Sequence, residues 1–249
     1  MKPYKPMAGL SGAEHSGIVR DVFSSIHDEY DFLNRFLSLR RDVYWRKRAS
    51  ESAGDIGQNR CLDLATGTAD LALDLAAGNP RASVVAADLS VEMLDRARAK
   101  VNRLGLENRI SLAACDAQNL PFPPSCFDAA TIAFGIRNIP DRACALREIR
   151  RVLRAGGRII VLEMGLPGNR ALRKVYRTYL VRILPALARP FTRNTAAYRY
   201  LADSTVNFPE PAAFCGELVD AGFTGIKTVP LTFGAVNLYT GHKGESNSG

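Results

Sequence analysis

Three aspartates each follow a short apolar run, and this position makes them the first candidates for chemistry. Asp63 stands in CLDLATGT, Asp88 ends ASVVAAD and Asp116 ends ISLAACD. If these runs are neighbouring parallel strands, the carboxylates lie along the edge of a sheet at which ligands bind. Each aspartate alone is as readily a loop residue or a helix cap. Together they predict a ligand site, because carboxylates accept hydrogen bonds from hydroxyl and amino groups.

The turn after Asp63, ATGTA (65–69), is built from small residues. A dinucleotide-binding turn reads G-x-G-x-x-G, which lets the backbone approach a pyrophosphate, but only Gly67 of such a pattern is present here. S-adenosylmethionine has no pyrophosphate, and its amino-acid end is compact and zwitterionic, so it fits this turn. We assign Asp63 to its ammonium group. Gly67 and Thr68 are assigned to its carboxylate or ribose, beside the free N–H groups that open the next helix.

The other two aspartates suit the nucleoside part of the same cofactor. Asp88 is predicted to accept hydrogen bonds from both ribose hydroxyls, as the acidic residue about 20 residues beyond the first turn does in dinucleotide sites. Asp116 is predicted to accept one from the adenine amino group, with the Ala117 N–H beside it. The cofactor predicted from these residues is S-adenosyl-L-methionine.

A scaffold of alternating strands and helices must hold these residues. Apolar runs predict the strands, which are placed at 60–65, 82–88, 110–116, 128–135, within 155–165, and near 224–230 and 235–242. Apolar side chains at three- and four-residue steps predict the helices, which are placed at 17–53, 69–77, 91–105, 142–153, 170–184 and 210–222. Ser90 and Gly105 are expected to cap one of these helices. The alternation predicts a parallel sheet with right-handed crossovers, closed by an antiparallel hairpin.

The composition leaves several classes of partner open. The 249 residues carry a formal net charge of +8 and a pI of about 9.4, which suits nucleic acid, an anionic membrane or acidic metabolites. Five scattered cysteines and three dispersed histidines predict reduced thiols and no metal site. No run approaches the roughly 18 apolar residues of a spanning helix, and no signal peptide is recognisable. We expect a cytoplasmic protein, peripheral at most at the inner face of the cytoplasmic membrane.

Further motifs stand outside the three aspartate-bearing segments. They are YDFLNRFLSLRRDVYW (30–45), FGIRN (134–138), RVLRAGGRIIVLE (151–163) and, in YRYLADS, Tyr198, Tyr200, Leu201 and Ser204. In combination they resemble the ubiquinone/menaquinone biosynthesis C-methyltransferase family, within the class I methyltransferases. In the first motif the matching positions are Tyr30, Asp31, Asn34, Ser38 and Trp45. The chain departs from the family at Asp42 (His in the family), at Arg154 and Ala155 (Lys and Pro), and at Gly165 (Ser).

The resemblance implies an α/β fold of the Rossmann-like class I methyltransferase type. Its sheet has seven mostly parallel strands with an antiparallel C-terminal edge, and helices cover both faces. The implied reaction is methyl transfer from S-adenosylmethionine to a ring carbon of a polyprenylated quinol. Demethylmenaquinol is the first expectation, and the 2-polyprenyl-6-methoxy-1,4-benzoquinol of ubiquinone synthesis is the second.

Three residues are the catalytic candidates. Arg137 follows the fourth strand beside the cofactor site, where a guanidinium stabilises a quinolate oxygen or orients a hydroxide; the alternative for it is a surface salt bridge. Asn138 is expected to hold the second ring oxygen. Tyr30 is expected on an N-terminal helical lid (1–53) that folds over the pocket, or else as a packed aromatic. Residues 54–249 form the methyltransferase domain in this interpretation.

A basic helical insertion is predicted at about 166–205. No acidic residue stands between Glu163 and Asp203, whereas eight cationic residues do. Apolar side chains recur there at helical spacing, for example Leu172, Val175 and Tyr176. Such a helix suits the surface of an anionic membrane, packing on its own domain, or packing on a second subunit in a homodimer.

Different function classes remain as alternatives. A nucleic-acid methyltransferase suits the charge, but the Asn/Asp-Pro-Pro-aromatic motif of amino-directed enzymes is replaced by FGIRN. A nicotinamide oxidoreductase requires the glycine-rich turn. A non-catalytic module that binds S-adenosylmethionine also fits the cofactor residues.

Overall fold

A seven-stranded sheet forms the centre of the protein. The computed structural model describes residues 38, 40–54, 60–188 and 196–244. The strands are β1 (Arg60–Leu64), β2 (Ser83–Asp88), β3 (Ile110–Ala114), β4 (Phe127–Ala133), β5 (Leu153–Met164), β6 (Phe223–Leu231) and β7 (Val236–Lys243). Their spatial order is β3-β2-β1-β4-β5-β7-β6. β1 to β5 are parallel, and β7 runs antiparallel to both β5 and β6, which confirms the predicted sheet and its antiparallel edge.

Helices cover both faces of this sheet. In the described residues they are α1 (Arg41–Ala53), α2 (Asp70–Gly78), α3 (Val91–Arg103), α4 (Arg142–Val152), α5 (Arg170–Thr178), α6 (Leu184–Ala188), α7 (Ala196–Val206) and α8 (Pro211–Asp220). Side chains of α1, α2 and α3 share one buried core, and those of α4 and α8 share a second. Along β5, Ile160 and Leu162 enter the first core while Ile159 and Val161 enter the second. This alternation shows that the strand is buried on both faces, as strands of parallel sheets are.

Local capping chemistry sets the limits of α3. The Ser90 hydroxyl accepts a hydrogen bond from the Met93 N–H at 3.2 Å, which satisfies one of the unpaired donors at the helix start. Gly105, just after the helix, takes a φ of +66°, a conformation that costs glycine little. Both residues act as the sequence predicts.

The strand order creates the crevice that holds the site. The chain leaves β1 for β2 and β3 on one side, then returns to place β4 against the other side of β1. The loops after β1 and β4 therefore diverge, and ligands of open α/β sheets bind at such a reversal.

The basic segment departs from a single helix. A π-helical turn, Tyr179–Ile183, joins α5 to α6, where the sequence predicts one continuous helix. Of the predicted N-terminal helical region, α1 is described, whereas Tyr30, Asp31 and Asn34 lie outside the described residues. In the described part of the chain, no helix is long and apolar enough to span a bilayer.

Candidate active site

A cavity of about 350 Å³ opens at the carboxyl ends of β1, β2, β3 and β4, within the roughly 300–1,000 Å³ range of small-molecule sites. The predicted site residues that line it are Gly67, Asp88, Asp116, Ala117 and Asn138. Those that lie outside its lining are Asp63, Thr68 and Arg137. Within the described ranges, no three His, Cys, Asp or Glu side chains are grouped as a metal site requires.

Asp88 presents its carboxylate to the cavity from a backbone cradle. Its two oxygens accept the Gly67 N–H at 2.8 Å and the Ser90 N–H at 2.9 Å. Burial raises the pKa of Asp88, and the backbone hydrogen bonds oppose that rise. Each carboxylate oxygen can accept more than one hydrogen bond, so this fixed group retains acceptor capacity for a diol.

Asp63 lies beneath the turn and is 1% exposed. Its oxygens accept the Thr131 hydroxyl and the Thr66 hydroxyl, both at 2.6 Å. Burial raises the pKa of Asp63 to about 6, although both hydroxyls favour the ionised form. The carboxylate therefore holds the shape of the turn in this structure, and its contact with a cofactor ammonium group stays a prediction.

The turn after β1, residues 65–69, adopts a strained path. Gly67 has a φ of +57°, and Ala65 and Ala69 also take positive φ values, of 49° and 66°. Residues with a Cβ seldom adopt this region, and those that do cluster at ligand sites. The Thr68 hydroxyl accepts a hydrogen bond from Lys100 Nζ at 2.7 Å, and the same Nζ donates to Asp70 at 2.8 Å.

A charge network ties α1 to this turn. Arg46 of α1 pairs with Asp42 at 2.8 Å, with Asp70 at 3.3 Å and with Asp74 at 3.6 Å. Asp42, which replaces the histidine of the resembled family, is thus a buried partner of Arg46. Sequence analysis did not identify Arg46 or the Lys100 contact, because both depend on how three separate helices pack together.

The third strand supplies the far wall of the cavity. Asp116 accepts the Gln118 N–H at 2.9 Å, and both residues line the cavity together with Ala117. Leu89 and Ile139 add apolar surface to the same lining. An acceptor and a backbone N–H beside apolar walls suit a flat, amino-bearing ring such as adenine.

Arg137 is buried in an ion pair. Its Nη1 donates to Glu163 Oε1 at 2.5 Å and to the Phe134 carbonyl at 2.7 Å, and its own N–H donates to Glu163 Oε2 at 3.2 Å. Arg137 is 7% exposed and Glu163 is 0% exposed, so Arg137 does form a salt bridge, as the alternative holds, but the pair is buried rather than at the surface. The guanidinium of Arg137 lies behind the cavity wall, whereas the next residue, Asn138, lines the cavity.

Helix α7 completes this part of the site. The Tyr200 hydroxyl donates to Asn138 Oδ1 at 2.7 Å, and Arg137 Nε donates to the Ser204 hydroxyl at 3.3 Å. Tyr200 and Ser204 belong to the motif near residue 200, so the structure brings that motif onto FGIRN. These partners stand 62 and 67 residues away along the chain.

The departure at Gly165 has a local explanation. A Cβ at this position would lie 2.6 Å from the amide nitrogen of Asn237. Asn237 is 2% exposed and pairs with Glu163 across the β5–β7 ladder. The asparagine side chain therefore occupies the space into which a residue larger than glycine would project.

Comparison with known proteins agrees with this geometry. Residues 11–243 match the ubiE/COQ5 methyltransferase family. The chain belongs to this family. The methyltransferase is 46% identical over 222 residues to a demethylmenaquinone methyltransferase of Thermus thermophilus, which covers 89% of this chain and 100% of the relative. It is 40% identical over 226 residues to the ubiquinone/menaquinone biosynthesis C-methyltransferase UbiE of Geobacter sp. (strain M21), covering 90% of this chain and 96% of that one.

A solved structure shares the fold. A SAM-dependent methyltransferase from Aquifex aeolicus superimposes with a TM-score of 0.58 at 16% identity, over 80% of this chain and 89% of that chain. The family membership shows an S-adenosylmethionine-dependent enzyme, and the solved structure shows the Rossmann-like fold that the sequence predicts. The family membership decides against a nucleic-acid methyltransferase, a nicotinamide oxidoreductase and a non-catalytic module.

Proposed function

We propose that the protein methylates a ring carbon of demethylmenaquinol and releases menaquinol. The observation that carries this proposal is the 46% identity to a demethylmenaquinone methyltransferase along that relative's entire length. The cavity supports it, because Asp88 and Asp116, the residues proposed for the cofactor, and Asn138, the residue proposed for the quinol, line the same cavity.

The residues of the cavity fit S-adenosylmethionine by their donor and acceptor types. Asp88 is held as an acceptor for the ribose hydroxyls, and Asp116 and Ala117 face the adenine edge beside Leu89 and Ile139. Gly67 brings backbone close to the ligand. The cofactor supplies the methyl group on a sulfonium. In this assignment the carboxylates orient the nucleoside and leave the FGIRN side of the cavity for the quinol.

The substrate side must favour the quinolate form of the ring. A hydroquinol carbon becomes a strong nucleophile when a neighbouring hydroxyl loses its proton. Arginine stays protonated and Glu163 balances its charge, so Arg137 is not the base. It orders the loop that carries Asn138 through its bonds to Glu163 and to the Phe134 carbonyl. Asn138 offers an N–H to a ring oxygen. Donors fixed in a poorly hydrated site stabilise developing negative charge strongly.

The decisive experiment supplies both quinols to one enzyme. Methyl-labelled S-adenosylmethionine is incubated with demethylmenaquinol or with the benzoquinol of the ubiquinone pathway, under reducing conditions, and the labelled ring position is identified by mass spectrometry. We expect label in the naphthoquinol. Label confined to the benzoquinol overturns the menaquinone assignment, and label in neither ring overturns quinol methylation.

We also propose that α5 contacts an anionic membrane and so reaches a prenylated substrate. The predicted apolar stripe divides in two: Leu180 and Leu184 are buried, whereas Val175 is 67% exposed and Leu172 45% exposed. The buried half packs on the protein itself, and the other half faces outward. Amphipathic basic helices of this kind bind the interface of anionic bilayers.

A basic cleft on the other side of α5 adds to its charge. The cleft has a volume of about 500 Å³ and its cationic lining residues are Arg170, Arg173, Lys174 and Arg177. Glu210, in the same lining, pairs with Arg173 at 2.7 Å. The cleft therefore retains an excess of positive charge, which attracts an anionic lipid surface.

Vesicle flotation tests this contact. The parent is expected to float with phosphatidylglycerol vesicles at low salt and to be released at high salt. The triple change Arg170→Gln, Lys174→Gln and Arg177→Gln should abolish flotation, whereas Arg81→Gln, Arg103→Gln and Arg147→Gln, an equal loss of charge at exposed sites elsewhere, should not. Equal effects of the two triples would show that net charge, and not this face, drives the binding. Sedimentation as a dimer that Val175→Glu dissociates would favour a second subunit as the occupant of this face.

A further inference from the structure

The contact between α7 and the FGIRN loop fixes the orientation of one amide. Asn138 is half-buried and lines the cavity, and Tyr200, 2% exposed, lies behind it. The Tyr200 hydroxyl is 2.7 Å from Asn138 Oδ1. An asparagine amide has an accepting end and a donating end, and its neighbours decide which end points where.

Both neighbours of Asn138 favour the same orientation. The carbonyl of Phe134, which can only accept, lies 3.4 Å from Asn138 Nδ2. The nitrogen therefore belongs on the Phe134 side, and the oxygen faces the phenol. Burial raises the pKa of Tyr200 further above its ordinary range, so the phenol keeps its proton and donates to that oxygen.

The amide nitrogen carries two N–H groups, and Phe134 takes one. The second remains for a ligand in the cavity. A donor at this place complements a ring oxygen as it becomes negative, whereas a flipped amide would present its own oxygen and repel that charge. The orientation of Asn138 therefore determines whether this wall favours or opposes the quinolate.

We propose that Tyr200 is a positioning residue that locks the Asn138 amide with its N–H group directed at the quinol oxygen. This role rests on the proposed function and deepens it. Ser204, one turn further along α7, accepts a hydrogen bond from Arg137 Nε. α7 thus contacts both Arg137, which lies behind the cavity wall, and Asn138, which lines it.

The test compares Tyr200→Phe with Asn138→Ala and with the double variant. Removing only the hydroxyl is expected to lower kcat about tenfold, less than the roughly 10²–10³-fold loss typical of a deleted oxyanion donor. KM for the quinol and the Kd for S-adenosylhomocysteine should stay within about twofold, since no direct binding contact is lost. In the Asn138→Ala background, Tyr200→Phe should have no further effect on kcat.

Tyr239→Phe is the matched control, because Tyr239 is equally buried and packs on Phe214. It should leave kcat unchanged. If Tyr200→Phe leaves kcat within about twofold of the parent, or lowers kcat equally with and without Asn138, the positioning role is wrong. Absence of turnover by the parent overturns the proposed function and this role with it.

Asn138→Asp provides a second route if Tyr200→Phe unfolds. The aspartate still accepts from Tyr200 but presents negative charge in place of an N–H. We expect its kcat to fall below that of Asn138→Ala, with the Kd for S-adenosylhomocysteine unchanged. A kcat above that of Asn138→Ala would show that no donor is needed at this wall.

Discussion

Two regions of the site use different means of holding their functional groups. On the side proposed for the cofactor, at the ends of β1, β2 and β3, Asp88 is held by backbone N–H groups of residues 67 and 90. On the side proposed for the substrate, at the ends of β4 and β5, Arg137 and Asn138 are held by the side chains of Glu163, Ser204 and Tyr200. The backbone-held group depends on local sequence, whereas the side-chain network depends on distant elements that must pack correctly.

The largest expected effect lies on the substrate side. Glu163→Gln leaves the Arg137 charge buried without its counter-charge, so we expect the free energy of unfolding to fall by about 3–5 kcal/mol. Urea denaturation measures this loss. Arg142 and Glu217 form a pair whose side chains are each 28% exposed, and Glu217→Gln should cost about 1 kcal/mol or less. If the two variants lose similar amounts of unfolding free energy, the buried pair contributes no more to stability than the partly exposed pair does.

The next effect concerns pH and the cofactor side. Asp63 has a folded-state pKa of about 6, above its ordinary value of 3.8. Because the pKa of Asp63 is higher in the folded state than in the unfolded state, protonation of this group stabilises the fold. That stability is fully present below the unfolded-state pKa and is lost as the pH rises through the folded-state pKa. The loss between about pH 4 and 7 amounts to at most about 3 kcal/mol.

Asp63→Asn isolates that contribution. Its free energy of unfolding, relative to that of the parent, should increase as pH rises from 4.5 to 7.5, since the amide stays neutral. Urea titrations across this range measure the difference. Parallel pH profiles for the two proteins would show that Asp63 titrates alike in the folded and unfolded states.

A smaller effect is expected at the backbone cradle. Asp88→Asn places an NH₂ group against an N–H donor and removes the charged acceptor, so affinity for S-adenosylhomocysteine should fall about 10- to 100-fold, the worth of one or two charge-assisted hydrogen bonds. Isothermal titration measures it. Asp95→Asn, at a carboxylate that is 61% exposed on α3, is the control and should bind like the parent. If Asp88→Asn binds S-adenosylhomocysteine with the Kd of the parent, the assignment of the ribose to Asp88 is wrong.

The smallest effect tests the support of the turn. Lys100→Met removes the contacts to Thr68 and Asp70, and we expect affinity for S-adenosylhomocysteine to fall about threefold, in keeping with a partly exposed ion pair. Arg98→Met, at an exposed pair on the same helix, should have no effect. A loss as large as that of Asp88→Asn would show that the cofactor side also depends on long-range contacts.

The sequence is informative about the fold and the cofactor side for one physical reason. Strand ends, the Ser90 cap and the Gly67 turn are encoded by residues close together in the chain, so patterns reveal them. The structure places Gly67, Asp88, Asp116 and Ala117 around one cavity, although their contacts with a cofactor remain predictions. Thr68 and Asp63 lie next to this cavity but outside its lining, and their side chains bond to protein groups.

The substrate side was less accessible to sequence reasoning. The contacts of Arg137 with Glu163 and of Asn138 with Tyr200 span 26 and 62 residues, and only three-dimensional packing brings these partners together. The basic segment also departs from the predicted helix, because a π-helical turn inserts an extra residue per turn and rotates the side chains that follow. A regular 3.6-residue period does not foresee that change between Tyr179 and Ile183.

The interior position of the last strand, β7, has a consequence for biogenesis. As the nascent chain leaves the ribosome, β5 pairs with β4 but has no neighbour on its other side until residues 236–243 arrive. Until then a twelve-residue, largely apolar strand offers open backbone groups to any other extended segment. We expect translation pauses or truncations upstream of Val236 to yield aggregation and chaperone capture rather than a smaller active enzyme.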